Sequence, residues 1–392
     1  MKVNKYKIII VLIIFIFLIL GFTGYRHYKQ MKEYISPSKV LTKENEKQSS
    51  KKQKKLKTVV DHKHPQINKI DEYLEQTHFN GTIALFEKGK LKLNKGYGYQ
   101  DFEKSEENNA NTMFLIGSAQ KFLTGIMLKQ LEIEDEIHMM TPVKHYLEWF
   151  DSIYPLSIKQ LMLHQSGLYK YKANPKFKDL NDATHAIQQR GINPLEYNKY
   201  QYNDANYLIL SKVIETVTHK SYMQNLNERL VKPYNLEYTA RYSNLNFQKY
   251  MAVGYKNDKL TGRRIRQKPN ILNQYDGAGN LYMSPYDMGK VVLNLQDNRI
   301  FDETTTMPFI HESLTTQYPR PYRYGFYSFA DKNRINGIFF GNIFTVYFND
   351  NYVIVLATNY DNGKMNNEYK MKHIYFKLLH QDGHYNRVKQ LY

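Results

Sequence analysis

The fold of this chain is decided by one short stretch, FLIGSAQK, at residues 114–121. An apolar run leads up to Ser118, and apolar residues recur after it at the three- and four-residue spacing of an amphipathic helix. These are Phe122, Leu123, Ile126, Met127 and Leu131. The pattern predicts a buried segment followed by a helix that starts at Ser118. Ser118 and Lys121 then lie one turn apart on the same helix face.

A hydroxyl and an amine in this arrangement can perform acyl transfer. The start of a helix offers Ser118 unpaired backbone N–H groups and the positive end of the helix dipole, which favour developing negative charge. Lys121 is a candidate proton acceptor or relay, provided that burial lowers its pKa. The alternative is a serine that caps the helix, followed by a surface lysine. Ser-x-x-Lys is so common by chance that this motif alone does not decide between them.

The composition excludes several kinds of site. None of the 392 residues is cysteine, which rules out disulfides, thiolate metal sites and a cysteine nucleophile. The 13 histidines show no metal-ligand spacing, so we predict neither a metal nor an organic cofactor. The 35 Tyr and 20 Phe indicate a folded protein with tyrosine-rich surfaces or grooves.

The N-terminal region predicts export. Residues 1–25 combine Lys2, Lys5 and Lys7 with an unbroken apolar run at 8–20, and no clear cleavage site follows. We therefore favour an uncleaved anchor that holds the chain on the extracellular face of the cell membrane. The alternative is a cleaved signal and a wall-associated or secreted protein.

Residues 26–66 have no sustained apolar period and are predicted to form a basic stalk. Residues 26–70 hold 13 Lys and Arg against four Asp and Glu, which is half of the net charge of +18. Because export keeps this stretch out of the cytoplasm, its expected partner is anionic cell-envelope material and not nucleic acid. The folded domain is predicted over residues 67–392.

Strands are expected at both ends of the folded domain, with helices between them. The predicted strands lie at residues 82–86, 90–94, 337–348 and 352–358. The predicted helices lie at 158–163, at 207–217, from Pro285 onward and at 374–379. A polar stretch at 169–200 predicts an insertion beside a cleft. The expected fold class is α+β, with an antiparallel sheet flanked by helices and a mostly helical subdomain.

Two further motifs supply candidate site residues. In Tyr202-Asn203-Asp204, the phenol is a candidate base or relay if a nearby lysine lowers its pKa. Locally, a packed tyrosine before a helix capped by Asn203 or Asp204 fits as well. In Ile335-Asn336-Gly337-Ile338, which enters a predicted strand that continues to Thr345, Gly337 permits close backbone approach. The N–H of Ile338 can then join that of Ser118 as an oxyanion hole.

Taken together, these motifs resemble the serine beta-lactamase-like family, which includes class C beta-lactamases, D-amino-acid-releasing peptidases and related esterases. The resemblance runs from about residue 70 to the C-terminus. It rests on the order and spacing of SAQK at 118–121, HQSGL at 164–168, YND at 202–204, GAG at 277–279, Tyr324-Gly325 and the late glycine strand.

The resemblance implies a beta-lactamase/transpeptidase-like fold and a set of site residues. Ser118 is expected to be the nucleophile, and Lys121 and Tyr202 are expected to share the proton transfer. Asn336, Gly337 and Ile338 are expected to contact the substrate. His164 fits a turn or core histidine.

Two departures from the family pattern bear on the substrate. Asp204 stands where most relatives carry Asn, and Ile335-Asn336 stands where most carry a cation before the glycine. Both changes disfavour an anionic substrate. A D-alanyl ester carries an ammonium instead, and Asp204 can pair with it while keeping Lys121 protonated.

The resemblance is strongest to the teichoic acid D-alanine esterases of this family, which share the layout of anchor, basic stalk and domain. It implies an extracellular serine esterase that removes D-alanyl esters from teichoic acids and so changes the charge of the cell envelope. The expected partners are teichoic acids and the cell membrane, with beta-lactams as candidate acylating inhibitors. Two alternatives stay open, a low-affinity penicillin-binding protein that acts as a D-alanyl-D-alanine peptidase and a non-catalytic wall-binding module.

Overall fold

The structure is a computed structural model that describes residues 55–258, 260–361 and 366–381. The predicted membrane anchor at 1–25 and the stalk up to residue 54 lie outside the described residues. Among the helices of the described ranges, none is long and apolar enough to cross a membrane.

The described chain contains short strands, a few long helices and several single turns. The strands are β1 Val59–Val60, β2 Gly81–Glu87, β3 Lys90–Tyr97, β4 Tyr99–Asp101, β5 Glu106–Glu107, β6 Phe114–Leu115, β7 Thr239–Arg241, β8 Tyr255–Asn257, β9 Arg264–Arg266, β10 Leu281–Met283, β11 Tyr322–Arg323, β12 Phe326–Ser328, β13 Asn333–Phe339, β14 Asn342–Phe348 and β15 Tyr352–Thr358.

The α-helices are α1 Pro65–Gln76, α2 Gln120–Ile133, α3 Val143–Tyr146, α4 Ile158–Met162, α5 Leu180–Arg190, α6 Asp204–Thr218, α7 Tyr222–Leu226, α8 Pro285–Gln296, α9 Glu303–His311 and α10 Asn367–Lys372. Turns of 3₁₀-helix lie at Gly117–Ala119, Leu245–Tyr250 and Leu272–Gln274, and π-helical turns lie at Asn227–Val231 and His373–Leu378.

The main sheet joins the two ends of the folded domain. Its eight strands follow the order β1-β3-β2-β15-β14-β13-β12-β11, and every pairing is antiparallel. β15 pairs with β2 along its whole length, from Tyr352 opposite Glu87 to Thr358 opposite Gly81. The predicted α+β class, with a sheet built from both ends and helices between them, is confirmed.

Helices cover both faces of this sheet. On the outer face, α1, α10 and the turn at His373–Leu378 pack against side chains such as Leu85 and Leu356. On the inner face, α2 and α8 pack against side chains such as Phe86 and Val355. Because both faces are buried, β2 and β15 are nearly continuous apolar runs instead of alternating ones.

Helix α2 is the central helix of the inner layer. Its residues from Gln120 to Lys129 are all buried, so the helix is surrounded by protein on every side. It approaches the β11–β12 turn so closely that a Cβ on Gly125 would lie 2.1 Å from the carbonyl oxygen of Tyr324. Gly325 of the same turn contacts α2 as well, since its Cβ would lie 2.1 Å from the carbonyl carbon of Lys121.

Three predictions from sequence are corrected by the structure. The predicted boundary between the stalk at 26–66 and the domain at 67–392 is too late in the chain, because β1 pairs with β3 in the main sheet and α1 begins at Pro65. The expected single strand from Gly337 to Phe348 is wrong, because the chain reverses between β13 and β14 at Phe340 and Gly341, whose φ angles are 43° and 81°. An apolar run does not reveal such a turn. The polar stretch at 169–200 contains α5, which the sequence analysis missed. Asp179 caps α5 by accepting hydrogen bonds from the N–H groups of Asn181 and Asp182.

We expect Gly125→Ala to destabilise the protein by about 3 kcal/mol or more, because the added methyl group overlaps the Tyr324 carbonyl. The same substitution inside an ordinary helix stabilises it by about 0.5–1 kcal/mol. Denaturant unfolding measures the difference. The control is Ile133→Ala at the exposed end of α2, which should stay within about 0.5 kcal/mol of the parent. A stabilised Gly125→Ala variant would contradict the close packing.

Candidate active site

Ser118 lies at the junction that the sequence predicts. β6 ends at Leu115, the 3₁₀ turn Gly117–Ala119 follows, and α2 begins at Gln120. Lys121 is one turn further on, and its Nζ lies 3.0 Å from the Ser118 Oγ. The structure therefore brings the hydroxyl and the amine into direct contact.

Lys121 is a buried ammonium with all of its donors in use. Its side chain is almost completely inaccessible, and Nζ donates to the Ser118 Oγ at 3.0 Å, the Asp204 Oδ1 at 2.7 Å and the Ala278 carbonyl at 3.2 Å. An ammonium has three N–H donors and no acceptor, so three acceptors satisfy it completely. Burial alone lowers the pKa of Lys121, but the negative charge of Asp204 and the Tyr202 hydroxyl outweigh it and raise the pKa above its usual value.

The prediction that Lys121 accepts the proton required a lowered pKa, and this condition is not met, because Asp204 and Tyr202 outweigh burial. The other expectation, that Asp204 keeps Lys121 protonated, agrees with the ion pair. A charged Lys121 holds the Ser118 oxygen by donating to it. The hydrogen of Ser118 must then point elsewhere.

Tyr202 is the group placed to receive that hydrogen. Lys121 Nζ lies 5.2 Å from the centre of the Tyr202 ring. Burial raises the pKa of Tyr202, and although Lys121 and hydrogen bonding with Ser118 lower it, the net pKa is above the usual value. Tyr202 as a whole residue is 39% exposed. Tyr202 thus carries its proton at rest and suits a relay better than a preformed base.

Asn203 fixes the backbone between Tyr202 and Asp204. Its Oδ1 accepts from the N–H of Ala205 at 3.1 Å and from that of Tyr171 at 3.0 Å, and its Nδ2 donates to the Leu168 carbonyl at 2.8 Å. Asn203 is thus the N-cap of α6 and joins that helix to the loop at 168–171. Of these two roles of Asn203, only the N-cap is among the predictions from sequence.

Gly337 brings β13 against the Ser118 turn. A Cβ on Gly337 would lie 1.9 Å from the Ile116 carbonyl oxygen and 2.9 Å from the Ser118 nitrogen, so no other residue fits. On the opposite side, a Cβ on Gly117 would lie 3.1 Å from the backbone nitrogen of Ile338. β12 pairs with only Asn333 and Arg334 of β13. The rest of this edge of β13 is therefore free to face the Ser118 turn. The backbones of Ser118 and Ile338 therefore meet, while their use as an oxyanion hole stays a prediction.

Asn336 does not bring its side chain to the site. Its Oδ1 accepts from the Thr345 Oγ1 at 3.1 Å, and the same Thr345 oxygen accepts from Asn367 of α10 on the outer face of the sheet. The side chain of Asn336 is therefore not available for the predicted substrate contact. Only the backbone of Asn336 can make that contact. Ile335, on the inner face, is buried in the core, so this position presents no cation to the site.

The interpretation of His164 as a turn and core histidine agrees with its surroundings. It is buried, has a φ of 55°, and its Nδ1 lies 2.7 Å from the Asn206 Nδ2. The Asn206 Oδ1 accepts from the Ser166 hydroxyl, so Nδ2 donates and His164 Nδ1 is the acceptor. The centre of the His164 ring lies 4.5 Å from that of the Tyr202 ring, so His164 packs against the residue predicted to relay the proton.

The family is decided by comparison with known proteins. A sequence profile of the family described as Beta-lactamase matches residues 67–374. The chain belongs to the beta-lactamase family. The resemblance found from the sequence motifs is thereby confirmed.

Relatives in the beta-lactamase family include the teichoic acid D-alanine hydrolase of Staphylococcus aureus, which is 50% identical over 98% of this chain and 98% of its own length. Among solved structures, FmtA from Staphylococcus aureus matches with a TM-score of 0.83 and 52% identity over 87% of this chain and 94% of that one. The D-amino acid amidase from Ochrobactrum anthropi matches in fold alone, with a TM-score of 0.66 and 16% identity over 83% of this chain and all of that one.

Some contacts of this beta-lactamase-family site have no signal in the sequence. The third acceptor for Lys121 is the main-chain carbonyl of Ala278, and a main-chain contact leaves no side-chain pattern. The GAG motif at 277–279 marks the place but not the role. Within residues 55–258, 260–361 and 366–381, no three His, Cys, Asp or Glu side chains cluster so as to hold a metal ion.

We expect His164 to make the stability depend on pH. Burial, and then the charge of Lys121, hold the pKa of His164 well below its usual value, so the folded protein keeps His164 neutral. The unfolded chain binds a proton below about pH 6.5, and stability must therefore fall as the pH drops from 7 to 5, by an amount of order 1 kcal/mol.

The test is the free energy of unfolding between pH 8 and 5, for the parent and for His164→Asn. Asn tolerates a positive φ and supplies an acceptor for Asn206, but it does not titrate. The variant should lose less stability on acidification than the parent, even if it is less stable throughout. Parallel pH profiles would rule out this role of His164.

Proposed function

We propose that this protein is an esterase of the cell envelope that removes D-alanyl esters from teichoic acids through an acyl-enzyme on Ser118. The observation that carries this proposal is the Lys121–Asp204 ion pair, which places a carboxylate beside the nucleophile. The relative of 50% identity that is named teichoic acid D-alanine hydrolase supports it independently.

The charges around Ser118 fit a cationic acyl group. A D-alanyl ester carries a free ammonium next to its carbonyl, whereas a D-alanyl-D-alanine peptide ends in a carboxylate. Asp204 uses Oδ1 to bind Lys121, and 32% of its side chain remains exposed, so the second oxygen is available to the ammonium. Ile335 supplies no cation for a carboxylate. This balance favours the ester over the stem peptide of a penicillin-binding peptidase.

The first half of the proposed reaction acylates Ser118. Ser118 Oγ attacks the ester carbonyl carbon while its proton passes to the Tyr202 oxygen, and Tyr202 gives its own proton to the departing polymer oxygen. The carbon–oxygen bond to the polymer then breaks. Lys121 donates to the Ser118 oxygen throughout, and its positive charge lies 5.2 Å from the centre of the Tyr202 ring. The N–H groups of Ser118 and Ile338 receive the developing oxyanion.

The second half releases D-alanine. The oxygen of a water molecule attacks the acyl carbon while the water gives a proton to the Tyr202 oxygen, and Tyr202 gives its own proton to Ser118 Oγ. The bond between Ser118 Oγ and the acyl carbon then breaks, which restores the free enzyme. Because Ser118 forms an acyl-enzyme in this reaction, we also propose that beta-lactams acylate Ser118. We place the domain at the extracellular face, tethered by the predicted anchor at residues 1–25, so that teichoic acids and the cell membrane are its partners.

Ser118→Ala should abolish release of D-alanine from D-alanylated teichoic acid, and Tyr202→Phe should lower kcat by about 10²–10⁴-fold because the relay is lost. Release is measured by chromatography of free D-alanine, with a D-alanyl-D-alanine stem peptide as the competing substrate. Mass spectrometry of the parent enzyme should detect the D-alanyl adduct on Ser118. Full activity of Ser118→Ala would contradict the acyl-enzyme, and faster release from the peptide would favour the peptidase.

Asp204→Asn should lower kcat/KM for D-alanyl esters by about 10–100-fold, since a charge-assisted contact with the ammonium becomes a neutral one. A D-lactyl ester, which has a hydroxyl in place of the ammonium, separates this contact from the effect on Lys121. The variant should lose less activity toward the D-lactyl ester. Glu148→Gln removes one exposed carboxylate elsewhere and is the matched control. Equal losses on both esters would mean that Asp204 acts only through Lys121.

A further inference from the structure

One segment beside the active site carries an unbalanced positive charge. Residues 169–178 read YKYKANPKFK and contain four lysines and no acidic residue. We call Lys170, Lys172, Lys176 and Lys178 the lysine rim. All four are exposed.

Apolar residues and lysines occupy opposite sides of this segment. Tyr171, Ala173 and Phe177 pack against the inner core of the domain, while the lysines between and beside them face solvent. The segment contains a turn, in which the N–H of Phe177 donates to the Asn174 carbonyl at 2.9 Å, and apolar residues before and after this turn face the core. The cationic side of the segment is therefore held outward by the packing of the other side.

Hydrogen bonds hold this segment next to the catalytic groups. The N–H of Tyr171 donates to Asn203, the residue between Tyr202 and Asp204, at 3.0 Å. Gln274 accepts from the N–H of Asn174 at 3.1 Å and donates back to the Asn174 carbonyl at 2.9 Å. The segment that carries the lysine rim is thus attached to Asn203, the N-cap of the helix that begins at Asp204.

Aromatic contacts continue from this segment toward β13. The Tyr171 ring lies 5.6 Å from the Tyr275 ring, which lies 4.9 Å from the Phe339 ring at the end of β13. Gly337 on that strand contacts the Ser118 turn. These contacts place the segment along one border of the site.

The charge of the lysine rim is not neutralised by neighbouring acids. None of its four lysines forms an ion pair with a carboxylate within the described part of the chain, whereas exposed Lys144 pairs with Asp151 at 2.6 Å. The nearby Asp179 and Asp182 accept hydrogen bonds from backbone N–H groups at the start of α5 and at Lys178. The lysines therefore remain available to an external anion.

We propose that the lysine rim binds the phosphodiester backbone of the polymer whose D-alanyl group enters the site. This inference rests on the proposed function. A D-alanylated polyol phosphate presents ammonium groups among regularly spaced phosphates. The protein presents the complementary pattern, with the Asp204 carboxylate inside and four cations along the border. The lysine rim then raises the affinity for the polymer and leaves the chemical step unchanged.

The test compares two substrates. For the variant with Lys170, Lys172, Lys176 and Lys178 all changed to Gln, the KM for D-alanine release from D-alanylated poly(glycerol phosphate) should rise by at least about tenfold at low salt. The kcat for this polymer, and kcat/KM for the small ester D-alanyl glycerol, should stay unchanged. The polymer KM of the parent should rise more steeply with salt than that of the variant.

The matched control changes Lys63, Lys69, Lys88 and Lys90 to Gln. This removes the same charge from exposed lysines before and on α1 and at the β2–β3 turn, away from the inner face of the sheet. An equal rise in KM for the control would overturn the inference, because net charge alone would then explain it. A loss of activity toward D-alanyl glycerol in the lysine-rim variant would also overturn it.

Binding without turnover separates this inference from the proposed function. Poly(glycerol phosphate) without D-alanine should bind the parent more tightly than the lysine-rim variant, as measured by calorimetry. If the parent binds this polymer and releases D-alanine from its ester, but the lysine-rim variant matches the control in both assays, only the inference fails. If the parent releases no D-alanine from the polymer, the proposed function fails.

Discussion

The structure depends on one buried cation. Lys121 sits at the start of the central helix, out of contact with water, and its ammonium is held by the Ser118 hydroxyl, the Asp204 carboxylate and the Ala278 carbonyl. These acceptors come from three separate parts of the chain: the turn before α2, the start of α6, and the loop before β10. A buried charge is costly unless it is paired and fully hydrogen-bonded. The same contacts that make the charge tolerable therefore assemble the active site.

This arrangement explains how the catalytic roles are divided in the proposed reaction. A charged Lys121 cannot take the proton of Ser118, so it serves to hold oxygen atoms and to stabilise negative charge near them. Proton movement then falls to Tyr202, whose pKa remains above its usual value and which must give a proton as it receives one. Asp204 belongs both to the ion pair and to the surface that the substrate reaches. Changing Asp204 thus acts on catalysis and on substrate charge together.

The sign of the exposed charge differs between the centre of the site, where it is negative, and the border of the site, where it is positive. The centre offers the partly exposed carboxylate of Asp204, and the border offers the exposed lysines at 170–178. A ligand with a cation close to the reacting carbonyl and anions further away matches this order. A ligand with a carboxylate at the reacting end matches it poorly, because Ile335 is apolar and buried.

The amino-acid sequence by itself determined the residue types of the site and most of the regular structure. The hairpin of β2 and β3, the helices α2, α6 and α8 and the contact between Ser118 and Lys121 follow from local periodicity, which depends on neighbours in the chain. The turn at Phe340 and Gly341 does not follow, because an apolar run looks the same in one strand or in two. Nor does α5, whose polar sequence hides a helix started by the Asp179 cap.

Only the tertiary structure decided the charge state of Lys121 and the face of the sheet to which the Asn336 side chain points. Burial lowers the pKa of Lys121, whereas the charge of Asp204 raises it. Asp204 is 83 positions away in the chain, and the sequence does not show that the two side chains are in contact. The side chain of Asn336 points to one face of β13 or the other according to the register with β14, which pairs it with Thr345 on the outer face. The sequence therefore identifies the chemical groups of the site, whereas the distances between remote segments of the chain determine the charge and the orientation of those groups.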